Sequence, residues 1–162
     1  MTCSPMGLGQ WLGWARRWLG CVVWLGLLMP VAAGAAVLAE ADAREVRKVV
    51  EAQLDAFAAD DAERAFSHAS ASIQAQFGDA THFMVMVRSG YPMLVRPAAV
   101  SFFLAQADDG TEGAKASARQ AVQLRDREGR LWLATYLLER QAGAGWRINA
   151  CVVVADSGKS GT

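Results

Sequence analysis

The rhythm of apolar positions changes twice along the chain. From Trp18 to Ala39 no charged residue occurs, and this run follows directly on Arg16 and Arg17. From about Ala41 to Ala59 the pattern turns periodic: Val46, Val49, Val50, Leu54 and Phe57 recur at helical spacing on a charged background, which predicts an amphipathic first helix. Asp60 with Glu63 has the spacing of a capping box, opening a short second helix that carries Ala62, Ala65, Phe66 and Ala69. Ser70 or Ser72 caps a third piece bearing Ile73 and Phe77 and stopped at Gly78. Asp79 caps a fourth, with Phe83, Met86 and Val87 on its apolar side and an end at Gly90.

Beyond Gly90 the period shifts from helix to strand. Tyr91-Pro92 and Arg96-Pro97 bracket a non-helical crossing, because proline disfavours helix at the residue before it. Ala98–Gln106 reads as a first strand with Val100, Phe102 and Phe103, and Asp108-Asp109-Gly110 as a loop. Lys115–Arg125 alternates, with Ala116, Ala118, Val122 and Leu124 on one side and Lys115, Arg119, Gln123 and Arg125 on the other. Asp126-Arg127-Glu128-Gly129 is a hairpin turn, and Leu131–Glu139 a strand that is apolar on both faces. After Gly143-Ala144-Gly145, the residues Trp146, Ile148, Ala150, Val152 and Val154 alternate as the inner face of a last strand.

Helices followed by strands on short turns predict an α+β domain, with N-terminal helices packed on a curved four-stranded antiparallel sheet and an apolar signal or anchor helix in front. The boundaries are 1–39 for the leader, 40–156 for a single domain and 157–162 for a polar tail. A strand apolar on both faces needs cover on both. Helices supply one; the other is a dimer interface through the sheet face or a ligand cavity.

The leader changes how composition reads. Arg16 and Arg17, an apolar stretch to Met29, Pro30 and then small residues form the pattern of a secretory signal, with cleavage within about 33–43. The alternative is an uncleaved anchor crossing the inner membrane through residues 18–39, since ~20 apolar residues span a bilayer. Both place the domain on the far side: periplasmic or secreted, or anchored in the inner membrane and facing the periplasm. Trp11, Trp14, Trp18 and Trp24, and likewise Cys3 and Cys21, belong to the leader, out of 6 Trp and 3 Cys in all. The domain therefore keeps Cys151 alone, reads as free of internal disulfides and must hold by packing. A net charge of zero gives no electrostatic reason to bind nucleic acid.

Two runs carry a resemblance: Gln76-Phe77-Gly78, Phe83, Val87-Arg88-Ser89-Gly90-Tyr91-Pro92 and Arg96-Pro97, then Asp126-Arg127-Glu128-Gly129-Arg130-Leu131-Trp132, Tyr136, Trp146-Arg147-Ile148 and Cys151. Together they resemble the uncharacterised bacterial family catalogued as domain of unknown function 4864. That family is similar in architecture to the nuclear-transport-factor-two-like cone. The resemblance spans about Glu45–Val154 and implies a fold rather than an activity, because cones host isomerases, dehydratases, binding modules and dimerisation domains.

Chemistry is thinly represented. His68 and His82 are the two histidines, on separate predicted helices, so no metal-ligand spacing arises and no metal site or cofactor is expected. Asp79 and His82 read as a cap beside a first-turn side chain. No nucleophile elbow or phosphate loop is present. The candidate pocket or binding residues are Tyr91, Arg96, Trp132, Tyr136 and Trp146, with Asp55 as a carboxylate beside the helical stripe; no residue is assigned a catalytic role. Arg96 is read either as pairing with an acid of the helix layer or as binding a carboxylate. Function is unknown from sequence, and the expectation is a non-catalytic exported module binding a small apolar ligand or a protein partner. The alternative is a small acid–base enzyme, of isomerase or dehydratase type, using a cone pocket.

Overall fold

A buried stripe orders the first helix, α1 (Glu40–Ala59), where Val46, Val50, Gln53, Leu54 and Phe57 face the interior. The computed structural model describes residues 38–108 and 116–156, so nearly all of the leader and the whole of the 157–162 tail lie outside the described residues. Among those described, no helix is long and apolar enough to cross a membrane.

α1 ends because Asp60 adopts a left-handed conformation (φ 64°) and returns its N–H to the carbonyls of Ala56 and Phe57. This moves the expected capping box by one residue. Asp61, not Asp60, caps α2 (Ala62–Ser67), accepting a hydrogen bond from the Arg64 N–H at 3.0 Å. Ser70 caps α3 (Ala71–Phe77), and Asp79 caps α4 (Ala80–Gly90) through the His82 N–H at 2.8 Å. On α4 the buried positions are Ala80, Phe83, Met84 and Val87, with Met86 half-buried. Phe83 is the hub of the helical layer, its ring centroid 6.1 Å from Phe57, 5.4 Å from Phe66 and 5.5 Å from Phe77. A 3-10 turn, Pro92–Leu94, then leads to the sheet.

The sheet is antiparallel, in the order β1 (Ala99–Phe102), β3 (Ser117–Arg125), β4 (Leu131–Gln141), β5 (Gly145–Ala155); the two-residue β2 (Gln106–Ala107) also pairs with β3. The strand expected over Ala98–Gln106 is thus broken. Phe102 opposes Val122, whereas Gln106 opposes Arg119, so the first strand carries one residue too many between them. The buried Gln120 amide fills the break, donating to the carbonyls of Phe103 at 2.7 Å and Ala121 at 2.9 Å.

The helices cover one face of this sheet. Across β3, β4 and β5 that face reads Val122–Ala134–Val153, Gln120–Tyr136–Cys151 and Ala118–Leu138–Ile148. The last strand departs from its expected alternation. The register slips between Leu137 and Leu138, and Asn149 is the extra residue. Past it the parity flips: Cys151 and Val153 turn inward, and Val152 and Val154 turn out.

The bulge is held from the helical layer. Asn149 Oδ1 accepts hydrogen bonds from the hydroxyls of Ser70 and Ser72, each at 2.8 Å. Beside it the backbone of Ile148 donates to the His68 carbonyl at 2.9 Å and accepts from the Ser70 N–H at 2.8 Å, closing the free edge of β5 at that point. Replacing Asn149 with Ala removes the acceptor that the Ser70 and Ser72 hydroxyls share and leaves the two hydroxyls only each other at that point. The variant is expected to lose about 1–3 kcal/mol of stability, read as a lowered urea midpoint with an unchanged m-value.

Candidate functional site

The parity flip in β5 delivers Cys151 to a cleft between that strand and the helices. The cleft measures about 270 Å³. Its walls are apolar: Phe57 from α1, Ile73 and Phe77 from α3, Phe83 and Val87 from α4, and Leu94 from the 3-10 turn, with Ile148 and Ala150 of β5. Its polar groups are neutral, namely Gln53, Gln76, Asn149, Tyr91 and the Cys151 thiol. Gln53 is fixed by its Nε2 donating to the Ala65 carbonyl at 3.2 Å.

Behind the thiol lies Tyr136, fully buried, opposite Cys151 in the ladder. Its hydroxyl faces Cys151 but the contact falls short of full hydrogen-bond geometry, leaving the oxygen without a proper partner. Burial raises the Tyr136 hydroxyl well above the ordinary tyrosine range, with Cys151 adding to the rise. Burial likewise pushes the Cys151 thiol up to about 12, against a partial opposing effect of Tyr136. The thiol is therefore protonated at neutral pH, which makes it a polar wall rather than a nucleophile.

A second cleft, also about 270 Å³, opens where the β3–β4 turn meets the 3-10 turn and the Arg96-Pro97 crossing. Asp126 organises it, accepting from the Arg130 N–H at 2.8 Å, Arg130 Nε at 2.7 Å and Trp132 Nε1 at 2.9 Å. Burial works to raise this carboxyl, yet those hydrogen bonds and the Arg130 charge hold it below the usual range. Arg96 stands at positive φ (61°) directly before Pro97. That conformation is unfavourable for a non-glycine residue by roughly 1–3 kcal/mol. It aims Nε at the Ala58 carbonyl near the end of α1, 2.7 Å away.

The candidates named from sequence are thus distributed rather than gathered. Tyr91 lines the apolar cleft, Arg96 and Trp132 line the second, and Tyr136 lies behind Cys151. Trp146 is core at the far end of β5, its Nε1 donating to Asp42 at 3.3 Å, with the Arg140 guanidinium 5.1 Å above its ring. Asp55 is exposed and lines neither cleft. Arg96 donates to a backbone carbonyl and also acts by its charge on a helix-layer acid, Asp60, whose carboxyl is lowered first by its hydrogen bond from Arg88 and further by the charges of Arg88 and Arg96. His68 is half-buried, and burial followed by the charges of Arg147 and Arg64 lowers its imidazole. Gln53, Gln76, Asn149 and Asp126 were not singled out. Of these, Gln53 has a periodic signal, lying on the stripe of Val46, Val50 and Phe57, and Gln76 and Asp126 lie in the runs that carry the family resemblance.

One helical layer on one face of an antiparallel sheet, with a neutral cleft between them, defines a small two-layer α+β domain. The chain belongs to the family described as domain of unknown function (DUF4864), which it matches over residues 39–161. No curated protein matches the chain.

The buried Tyr136 and the half-buried Cys151 opposite it give a pH dependence with a definite sign. Cys151 and Tyr136 hold their protons in the folded state at pH values where the unfolded chain releases them. Their contribution is complete below pH 9, the unfolded thiol value, and is lost as pH rises towards about 12. Unfolding free energy is expected to fall between pH 9 and 11, by up to ~1.4 kcal/mol per pH unit for each group. The Cys151→Ala variant should show a shallower slope in denaturant melts across that window.

Proposed function

We propose that this domain is a non-catalytic binding module of the bacterial envelope that holds a small, uncharged, largely apolar molecule in the cleft between β5 and the helices. The observation that carries this reading is the lining: apolar walls and neutral polar groups, with no Asp, Glu, His, Lys or Arg among the residues that form it. Pockets that bind small molecules combine apolar walls with a few placed polar groups. The volume suits a single ring or a short chain, because it lies just under the ~300–1,000 Å³ of larger ligand sites. The acid–base enzyme reading has less support: general acid–base chemistry calls for a carboxylate or imidazole within reach of substrate, and the thiol in this cleft stays protonated.

The leader is the basis for placing the module in the periplasm or outside the cell, with an inner-membrane anchor as the alternative. The family match starts at residue 39, where the uncharged run ends, which supports reading the run before it as a leader.

For the uncovered face of the sheet the proposed occupant is a second copy. Phe103, Leu104, Val152 and Val154 are 52%, 89%, 57% and 51% exposed. The rows Ala121–Thr135–Val152 and Gln123–Leu133–Val154 form an uncharged centre on that face. Two such centres close on each other without burying like charges, as an isologous interface requires. Sedimentation of the full chain is expected to give a dimer that Val152→Glu converts to monomer with the fold intact; a monomeric wild type refutes this.

Mass spectrometry of small molecules released from protein purified out of its own host tests the cleft. A neutral organic molecule is expected at near-stoichiometric yield, falling below about a tenth of that in Ile73→Trp, which fills the cleft. Unchanged far-UV circular dichroism should show that Ile73→Trp is folded. Wild-type protein that carries no molecule and takes up no added indole overturns the reading.

A further inference from the structure

We propose that the second cleft, beside the β3–β4 turn, is a binding site for a monoanionic carboxylate with a small apolar body, anchored by Arg96 and assisted by Arg127. The proposal is independent of the neutral cleft.

It starts from the charges. Arg130 is neutralised locally, its Nε 2.7 Å from Asp126 and its NH2 3.4 Å from Glu128. Asp126 is in turn engaged by Arg130 and the Trp132 indole. Arg127 makes no hydrogen bond or ion pair among the described residues. Arg96 has one bond, from Nε to Ala58, and its two terminal nitrogens take no acceptor among the described residues. Three guanidinium groups (Arg96, Arg127 and Arg130) and two carboxylates (Asp126 and Glu128) line the cleft, which leaves it one net positive charge on the side of Arg96 and Arg127, with Asp60 acting on Arg96 from outside the lining.

Geometry narrows the ligand. An arginine with Nε already bonded is held in one orientation and presents its terminal pair of nitrogens as a fork, which matches the two oxygens of a carboxylate. The backbone at Arg96 is held at positive φ before a proline, so the side chain stands in this place against local preference. Around it Val95, Pro97 and the Trp132 ring supply apolar wall for the rest of the molecule. An inorganic anion would satisfy the charge and leave that wall unused.

Saturation-transfer NMR on the full chain with benzoate as probe tests this. Saturable binding is expected, with benzamide, the uncharged analogue, at least about tenfold weaker. Inorganic phosphate at equal concentration should leave benzoate bound. Arg96→Gln should weaken benzoate at least about tenfold, and Arg127→Ala severalfold. Should Arg96→Gln fail to fold through loss of its bond to Ala58, Arg127→Ala decides alone, since Arg127 has no partner among the described residues. The proposal falls if benzamide binds equally, if phosphate displaces benzoate, or if Arg127→Ala binds like wild type. It falls also if Ile73→Trp abolishes benzoate binding, because the probe would then have occupied the neutral cleft. Retained benzoate binding in Ile73→Trp supports it, whatever that variant does to the neutral ligand.

Discussion

The extra residue in the last strand is the constraint from which the interior follows. Strict alternation from Trp146 would turn Ala150, Val152 and Val154 towards the helices. Asn149 interrupts it, and Cys151 and Val153 face inward in their place. The interruption is stable because its backbone and side chain are both used. Ile148 exchanges two hydrogen bonds with the segment His68–Ser70, and Asn149 accepts from two serines. A bulge bends its strand and strengthens the local twist. Here it is also the point at which the link between α2 and α3 is tied to the sheet. The helical layer, the inward set of β5 and the cleft wall therefore depend on the same few hydrogen bonds.

That arrangement settles the character of the interior chemistry. Tyr136 and Cys151 are brought opposite each other in a place without ions, and each is driven to its neutral form by burial. Among the other polar groups drawn inside, Gln53 and Gln120 are amides bonded to backbone carbonyls, and Ser70 is bonded to Asn149. The charged residues cluster elsewhere: Arg88 with Asp60, Arg140 with Asp42, Arg130 with Asp126. Burial favours neutral polar groups over ions unless the ions are paired and hydrogen-bonded, as the buried Asp126 is with Arg130 and Trp132.

Much of this order was legible in the sequence. The stripe Val46, Val50, Leu54 and Phe57 located α1, and the caps at Ser70 and Asp79 located α3 and α4, because spacing and capping chemistry are local properties. Strand order and the inward set of β3 followed from short turns and alternation. What could not be read arises from competition between equal patterns. Ala150, Val152 and Val154 make as good an apolar alternation as Cys151 and Val153, so only the tertiary partner at Asn149 decides. Asp60 and Asp61 are equally good caps by type, and the left-handed turn at Asp60 chooses between them. The break after Phe102 depends on the Gln120 amide, a contact across seventeen residues that no local pattern announces.

The segment from Tyr91 to Pro97 explains why the binding candidates fell into separate places. Pro92 opens the short 3-10 turn and Pro97 ends the segment ahead of β1, so it continues neither α4 nor the sheet. Its residues divide between the two clefts, with Tyr91 and Leu94 lining the neutral one and Val95, Arg96 and Pro97 lining the charged one. Sequence alone presents Tyr91 and Arg96 as neighbours and invites a single site. The backbone geometry assigns them to opposite chemistry, because a short 3-10 turn followed by a residue at positive φ redirects the side chains within a few positions.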